Sequence, residues 1–369
     1  MLSFDFQPST RVVFGENALG NLGSLAKELG AQDVLIITDP GVAEAGIVEK
    51  AVDFLVKQSI SCAVFQEVEE NPTTKHVANG VRFARDLGQL DLIVGLGGGS
   101  AMDCAKGMNF ILTNGGVMED FWGMDKASKP MLPSIGIPTT AGTGSEAQSY
   151  ALIAREESHV KMACGDKKAR FRTVILDPVL TSSAPDDVRA STGIDAISHA
   201  VESHVATRRN PVSQLFSREA WCLLENSFET VIVNPANLEA QSQMLLGAHY
   251  AGVAVENSML GAAHACANPL TSSYGITHGV AVGLMLPHVI KFNSRIMGKS
   301  YRELHSSSIY ERVCELKAAA HLPGMLRDFG IDESDLPRLA GEAANQWTGK
   351  FNPRPANETE LLQLYESAY

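Results

Sequence analysis

At 369 residues, with 42 acidic against 30 basic side chains and a formal net charge of −12, the chain lacks the cationic surplus that nucleic acid binding demands; small molecules are the expected partners. A composition 45% hydrophobic and 20% charged belongs to a folded globular protein, and the length favours two domains over one. The six cysteines are scattered without a Cys-x-x-Cys pair, which argues against a zinc ribbon or a disulfide framework and fits a reducing cytoplasm. The first residues lack the basic start and apolar middle of a secretion signal. The longest apolar run, residues 280–290, is broken by Pro287 and too short to span a bilayer, so neither export nor membrane insertion is expected.

Up to about residue 180 strand and helix signals alternate. Residues 34–37 read as a buried strand, 46–57 as a helix, 62–65 as a strand, 74–87 as a helix, 92–94 as a strand, 100–112 as a helix and 134–137 as a strand. Such alternation predicts a mostly parallel sheet covered on both faces. Beyond Ser182-Ser183-Ala184-Pro185 the strand signals fade, and helical periodicity runs through 186–205, 211–230 and 236–255. The expected architecture is α/β plus all-α, with domains at 1–184 and 185–369.

Gly97-Gly98-Gly99-Ser100 follows an apolar run and opens a helical pattern. A strand that turns on glycines into a helix gathers free backbone N–H groups at the positive helix end, which suits a phosphate. Gly95-x-Gly97-x-x-Ser100 departs from the Gly-x-Gly-x-x-Gly fingerprint at its last position, and a tight turn explains a lone glycine run equally well. Asp39, ending the 34–37 strand, is placed to accept hydrogen bonds from ribose hydroxyls and to repel a 2′-phosphate, so NAD(H) is expected over NADP(H). Taken alone, Asp39-Pro40-Gly41 is more commonly a turn opener. The loop Pro138-Thr139-Thr140-Ala141-Gly142-Thr143-Gly144-Ser145-Glu146 packs four hydroxyls and two glycines into nine residues. Three such elements at strand ends of one sheet favour a nucleotide site.

Asp195 and His199 sit four apart in Thr192-Gly193-Ile194-Asp195-Ala196-Ile197-Ser198-His199, and so share one helix face. Most helical Asp/His pairs are surface hydrogen bonds. Here His264 stands in Gly261-Ala262-Ala263-His264-Ala265-Cys266-Ala267, where a buried imidazole needs a partner, and His278-Gly279 opens a further apolar stretch. Three imidazoles and one carboxylate suit Fe²⁺ or Zn²⁺ rather than Mg²⁺ or Ca²⁺. Four protein ligands plus substrate need a fifth position, which favours Fe²⁺ with Zn²⁺ as the alternative. The other histidines read as ordinary: His76, His159, His305 and His321 in polar surroundings, His204 and His249 on helices, His288 in a core or at a helix start.

Together, Gly97-Gly98-Gly99-Ser100-x-x-Asp103-x-x-Lys106, the 138–146 loop, Thr192-Gly193-x-Asp195-Ala196-x-x-His199-Ala200-x-Glu202, and His264 with His278-Gly279 resemble the iron-containing (group III) alcohol dehydrogenases. That family includes lactaldehyde reductase and 1,3-propanediol dehydrogenase. Asn352-Pro353-Arg354 extends the likeness over essentially the whole chain. The resemblance implies a Rossmann-like dinucleotide-binding domain with a mostly parallel sheet, a C-terminal helical metal-binding domain, and hydride transfer in a cleft between them. It implies Asp195, His199, His264 and His278 as metal ligands. Around the cofactor it implies Asp39, Asn71, Gly98, Gly99, Ser100, Asp103, Thr139, Thr140, Thr143, Lys161 and Leu180, with Asp103 also a catalytic candidate. Members commonly read His-x-x-x-His where this chain has His264-Ala265-Cys266-Ala267-Asn268. Asn268 is thus a substrate-proximal candidate of open role, since an amide does not titrate near neutrality.

The expected function is metal-dependent hydride transfer between NAD(H) and a small alcohol or aldehyde, the metal polarising the substrate oxygen, in a cytoplasmic homo-oligomer, first of all a dimer. Two rivals stay open. One is a lyase resembling dehydroquinate synthase, which uses NAD transiently; the other is a non-enzymatic NAD- or metal-binding protein. A substrate pocket drawing on Ala147, Ser149, Val253 and Cys266 would be small and neutral, suiting a short aliphatic alcohol or diol.

Overall fold

A computed structural model describes residues 3–158 and 160–369. They group into two compact units, one of residues 7–140 and 145–184, the other of residues 3–6, 141–144 and 185–369.

The first unit runs β1 (Arg11–Phe14), α1 (Leu22–Glu28), β2 (Asp33–Ile37), α2 (Pro40–Glu44), α3 (Ile47–Val56), β3 (Ser61–Phe65), α4 (Thr74–Leu87), β4 (Leu92–Gly97), α5 (Gly99–Asn114), β5 (Gly123–Met124), β6 (Ser134–Pro138), β7 (Tyr150–Ala154), β8 (Lys161–Gly165), β9 (Thr173–Leu176) and α6 (Pro178–Thr181). Among the described residues, six strands form a parallel sheet in the order β1-β9-β6-β4-β2-β3. Val34 to Ile37 and Leu92 to Val94 are at most 1% exposed, the continuous apolar run that a sheet covered on both faces requires. A smaller sheet, β5-β8-β7, and the strands β1 and β9 add to the elements read from sequence.

Register sets the geometry of the sheet edge. Ile37 lies opposite Gly95, and Gly97 opposite Pro138, so β2, β4 and β6 end side by side. The chain leaves β2 on one side for β3 and returns on the other for β4, which puts the topological switch point between β2 and β4. Far along the chain, buried Asp177 accepts from Asn17 N at 3.0 Å, Leu19 N at 3.1 Å and Val179 N at 3.1 Å, fastening the segment after β1 to the start of α6.

The second unit is helical: α7 (Asp186–Val205), α8 (Pro211–Val233), α9 (Leu238–Glu256), α10 (Ala262–Tyr274), α11 (His278–Leu304), α12 (Ile309–Ala319), α13 (Leu336–Ala344) and α14 (Glu358–Ala368). One core joins Ile194, Ile197 and Val201 of α7 to Trp221, Leu224 and Phe228 of α8, Met244 of α9 and Leu284 and Met285 of α11. Residues 141–144 group here because Gly142 abuts Thr192 and Gly144 abuts Gly252. No helix among the described residues is long and apolar enough to cross a membrane.

Small residues decide how closely α7 and α11 approach. A Cβ at Gly279 would collide with the Ser191 carbonyl, and one at Gly283 would sit 2.8 Å from Ile194 Cγ2. Gly279→Ala is expected to lower the unfolding free energy by about 1–3 kcal/mol or more, because backbone atoms have no rotamer to give way. A denaturant midpoint equal to wild type would contradict this close packing.

Candidate metal centre and nucleotide edge

The helical unit brings acid and imidazole donors from two helices to one point. On α7, Asp195 and His199 share a face at i and i+4; from α10 comes His264, near its N-terminus. Asp195 Oδ1 lies 3.5 Å from His199 Nε2 and 3.5 Å from His264 Nε2, and one ligand atom from each residue falls within 4.8 Å of the others. The His199 and His264 rings stack at 4.9 Å between centroids. His278, first residue of α11, has its ring 5.4 Å from that of His264, beside this tight trio.

The donor chemistry fits a cation. Asp195 Oδ1 and His264 Nε2 are buried without a hydrogen-bond partner, although buried polar atoms are almost always satisfied. His264 Nδ1 lies 2.6 Å from Glu202 Oε2, so the carboxylate draws the ring proton to Nδ1 and turns the Nε2 lone pair toward Asp195. Carboxylate and imidazole donors converging on one point suit a divalent transition metal.

Protonation follows the same geometry. Burial alone would raise Asp195, yet the imidazoles of His199, His278 and His264 hold its carboxyl well below the usual carboxylate range. Burial pushes His199 down, with Asp195 pulling the other way. Burial would lower His264 as well, but the Asp195 and Glu202 carboxylates outweigh it and push the imidazole up to about 9. With no cation bound the three groups thus favour a protonated His264, and a metal ion at Nε2 would take that proton's place.

In the α/β unit, the carboxyl edge of the central strands gathers a second set. Asp39 caps α2 by accepting from Val42 N at 3.0 Å, and its other oxygen lies where a Cβ on Gly97 would come within 2.9 Å. Gly97 holds φ +152, a conformation that side chains rarely adopt. Gly98 is the N-cap of α5, Gly99 and Ser100 begin it, Thr139 N donates to Gly97 O at 2.9 Å, and Thr140 lies against Gly98. Asp39, the glycine turn and Thr139-Thr140 therefore share the switch-point edge, where backbone N–H groups at the start of α5 could hold a phosphate.

Other expected residues are placed differently. Asp103 is 8% exposed, and its carboxylate accepts from Ser145 Oγ at 2.5 Å, with Lys106 Nζ 3.7 Å away. Burial pushes Asp103 up, against the pull of Lys106, Ser145 and Lys161. Lys106 donates to Ser145 O at 2.7 Å, Ser145 Oγ at 2.9 Å and Tyr150 O at 2.7 Å, so the network ties α5 to the loop before β7. Leu180 is 4% exposed and its side chain belongs to the core beneath the sheet. Asn71 takes φ 53, a left-handed conformation that asparagine tolerates, in the loop after β3. Lys161 begins β8, and Thr143 falls in the segment grouped with the helical unit. Asn268, one turn beyond His264, donates to Gln346 Oε1 at 3.0 Å. Cys266, read as a pocket residue, is fully buried in the helical core, where its carbonyl accepts from Tyr365 Oη. His288 lies inside α11 rather than at a helix start, and burial pushes it down to about 4. His204 is fully buried with Nδ1 2.9 Å from Ser217 Oγ, and His159 lies outside the described residues.

Two buried members of these networks escaped the sequence reading except as motif letters: Glu202 and Lys106. The signal for Glu202 was its place at i+7 from Asp195 and i+3 from His199, a third polar group on one face of a helix of small and apolar residues.

Comparison with known proteins settles the class. The profile described as iron-containing alcohol dehydrogenase matches residues 9–178, and that of the C-terminal part of the Fe-containing alcohol dehydrogenase family matches 189–369. The chain belongs to the iron-containing alcohol dehydrogenase family. It is an oxidoreductase of that family, 35% identical over 367 residues to alcohol dehydrogenase 4 of Schizosaccharomyces pombe, covering 96% of this chain and 87% of the relative. An NAD-dependent methanol dehydrogenase of Bacillus methanolicus is 30% identical, with all of both chains covered. The crystal structure of a 1,3-propanediol oxidoreductase superposes with a TM-score of 0.96 at 31% identity over 100% of each chain.

For this family member the protonation state gives a direct test. A divalent ion at Asp195, His199 and His264 must displace the proton that His264 holds up to about pH 9. Its apparent affinity is therefore expected to rise roughly tenfold per pH unit from neutrality and level off above that value. Chelator competition measures it, and an affinity flat between neutrality and pH 9 would contradict the arrangement.

Proposed function

We propose that this dehydrogenase moves a hydride between NAD(H) and a small alcohol or aldehyde, with a divalent ion held by Asp195, His199, His264 and His278. The observation that carries the reading is the convergence of Asp195, His199 and His264, with Asp195 Oδ1 and His264 Nε2 buried and without a hydrogen-bond partner, in a chain of the iron-containing alcohol dehydrogenase family. When bound, such an ion supplies Lewis acidity toward the substrate oxygen, and a nicotinamide supplies or accepts the hydride. The protein's own contribution is placement. Asp195 cancels part of the ion's charge, and the imidazoles leave it positive enough to attract an oxygen. We assign Fe²⁺ as the preferred ion and Zn²⁺ as the alternative, because four ligands and a substrate need a fifth position.

The switch-point edge is the proposed cofactor site, with Gly98, Gly99, Ser100, Thr139 and Thr140 toward phosphate and Asp39 toward the adenosine ribose. Thr143, Lys161, Asn71 and Leu180 belong to the same proposal, Leu180 through its main chain, since its side chain is core. Asp103 positions rather than reacts: through Ser145 and Lys106 it holds the loop that follows Thr139-Thr140. We place the enzyme in the cytoplasm as a homodimer, in keeping with its unpaired cysteines.

Alcohol oxidation releases a proton as well as a hydride. Asn268 stands one turn from His264 and exchanges no proton near neutrality, so the alcohol proton passes to water or through the ribose hydroxyls. Asn268→His is expected to add a limb near the ordinary histidine pKa to the pH profile of kcat for alcohol oxidation; an unchanged profile would remove position 268 from the proton path.

Asp39→Asn keeps a good helix cap while removing the charge. It is expected to shift the kcat/KM ratio of NADP to NAD upward about 10-fold or more, and no shift would contradict the ribose assignment. The decisive assay follows NADH formed from short alcohols and diols by chelated protein and by protein reloaded with Fe²⁺ or Zn²⁺. Net NADH only in the reloaded protein is expected. Full activity without metal would sink the scheme, and NAD binding without net NADH would favour a lyase or a binding protein.

A further inference from the structure

Glu202 is 3% exposed and carries a carboxylate that no part of the proposed reaction uses. Burial of such a charge is unfavourable unless both oxygens are occupied. Here they are: Oε1 accepts from Ala263 N at 2.7 Å, and Oε2 lies 2.6 Å from His264 Nδ1. The partners are consecutive residues of α10, whereas Glu202 itself belongs to α7, on the face that bears Asp195 and His199.

The start of α10 is built around this contact. Gly261, its N-cap, has no side chain to accept from the first N–H groups. Asn352 Oδ1 accepts from Ala262 N at 3.2 Å, and Glu202 takes Ala263 N. A Cβ on Gly261 would come within 2.9 Å of both Asn352 Oδ1 and Glu202 Oε1, so the missing side chain lets these acceptors close in.

We infer that Glu202 is a positioning residue for the metal centre, fixing His264 as the tautomer whose bare Nε2 faces Asp195 and His199 while its other oxygen anchors the helix that carries that ring. This rests on the metal reading above. One helix thereby furnishes two ligands and, through Glu202, orients the third. A carboxylate on the far ring nitrogen also makes the imidazole a better donor.

Glu202→Gln separates positioning from simple helix capping. The amide oxygen can still accept from Ala263 N, but its NH₂ then faces His264 Nδ1, which must give up its proton to accept; Nε2 becomes N–H and closes to a metal. In chelator competition with Zn²⁺, the full-length E202Q protein is expected to bind about 10- to 100-fold more weakly than wild type, with an unchanged far-UV spectrum. Nitrogen-15 NMR of zinc-loaded wild type should show His264 protonated at Nδ1 and coordinated through Nε2. That spectrum decides the matter even if E202Q does not fold, because His264 protonated at Nε2 would overturn the inference. Tight Zn²⁺ uptake unaffected by E202Q would overturn it alone, whereas wild-type protein that takes up no Zn²⁺, or H264A protein that binds as tightly as wild type, would overturn the metal reading and this inference with it.

Discussion

In the helical unit a carboxylate oxygen of Asp195, removed from water, faces two imidazole nitrogens at 3.5 Å each. Lone pairs brought together in a low-dielectric interior repel one another unless a positive centre lies among them. A proton on His264 can serve, and so can a divalent ion, which engages all the donors at once. Much of the unit's sequence follows from holding these groups together. Gly279 brings α11 against the Ser191 carbonyl of α7, Gly193 makes room for Phe228, and Gly261 with Ala262 and Ala263 lets α10 begin close beside Glu202. Larger side chains at these points would separate the helices that carry the donors.

The α/β unit meets a different demand by similar means. Its parallel sheet ends three adjacent strands side by side, and each is followed by residues of a distinct capability: a carboxylate after β2, the N-terminal backbone of α5 after β4, hydroxyls after β6. Gly97 allows Asp39 and Ala101 to approach where a Cβ would collide with both. The segment before β7 is held to α5 by the buried trio Asp103, Lys106 and Ser145, a cation and an anion that compensate one another's burial.

How much of this was legible depended on periodicity and spacing. The strands at 34–37 and 92–94 announced themselves as apolar runs, and α7 was readable from end to end because its small and apolar residues recur on every side. Strand β1 was not, being four residues at a sheet edge with Val12 and Phe14 exposed, and β9 was hidden by the turn signal of Asp177-Pro178 directly after it. Asp195 and His199 could be paired by their four-residue spacing. Spacing could not join His264 to them; the family resemblance implied it, and the fold brings the three together by packing helices some sixty positions apart in sequence. Cys266, two residues beyond His264 on the same helix, is fully buried in the helical core, because positions two apart on a helix do not share a face.

X-ray absorption at the metal edge of the iron- or zinc-loaded protein tests the central claim most directly. The account predicts a first shell of nitrogen and oxygen with the outer scattering of three imidazole rings, nitrogen distances for zinc near 2.0–2.1 Å, and the loss of one ring in His264→Ala. A shell without imidazole scattering, or one unchanged by His264→Ala, would contradict it.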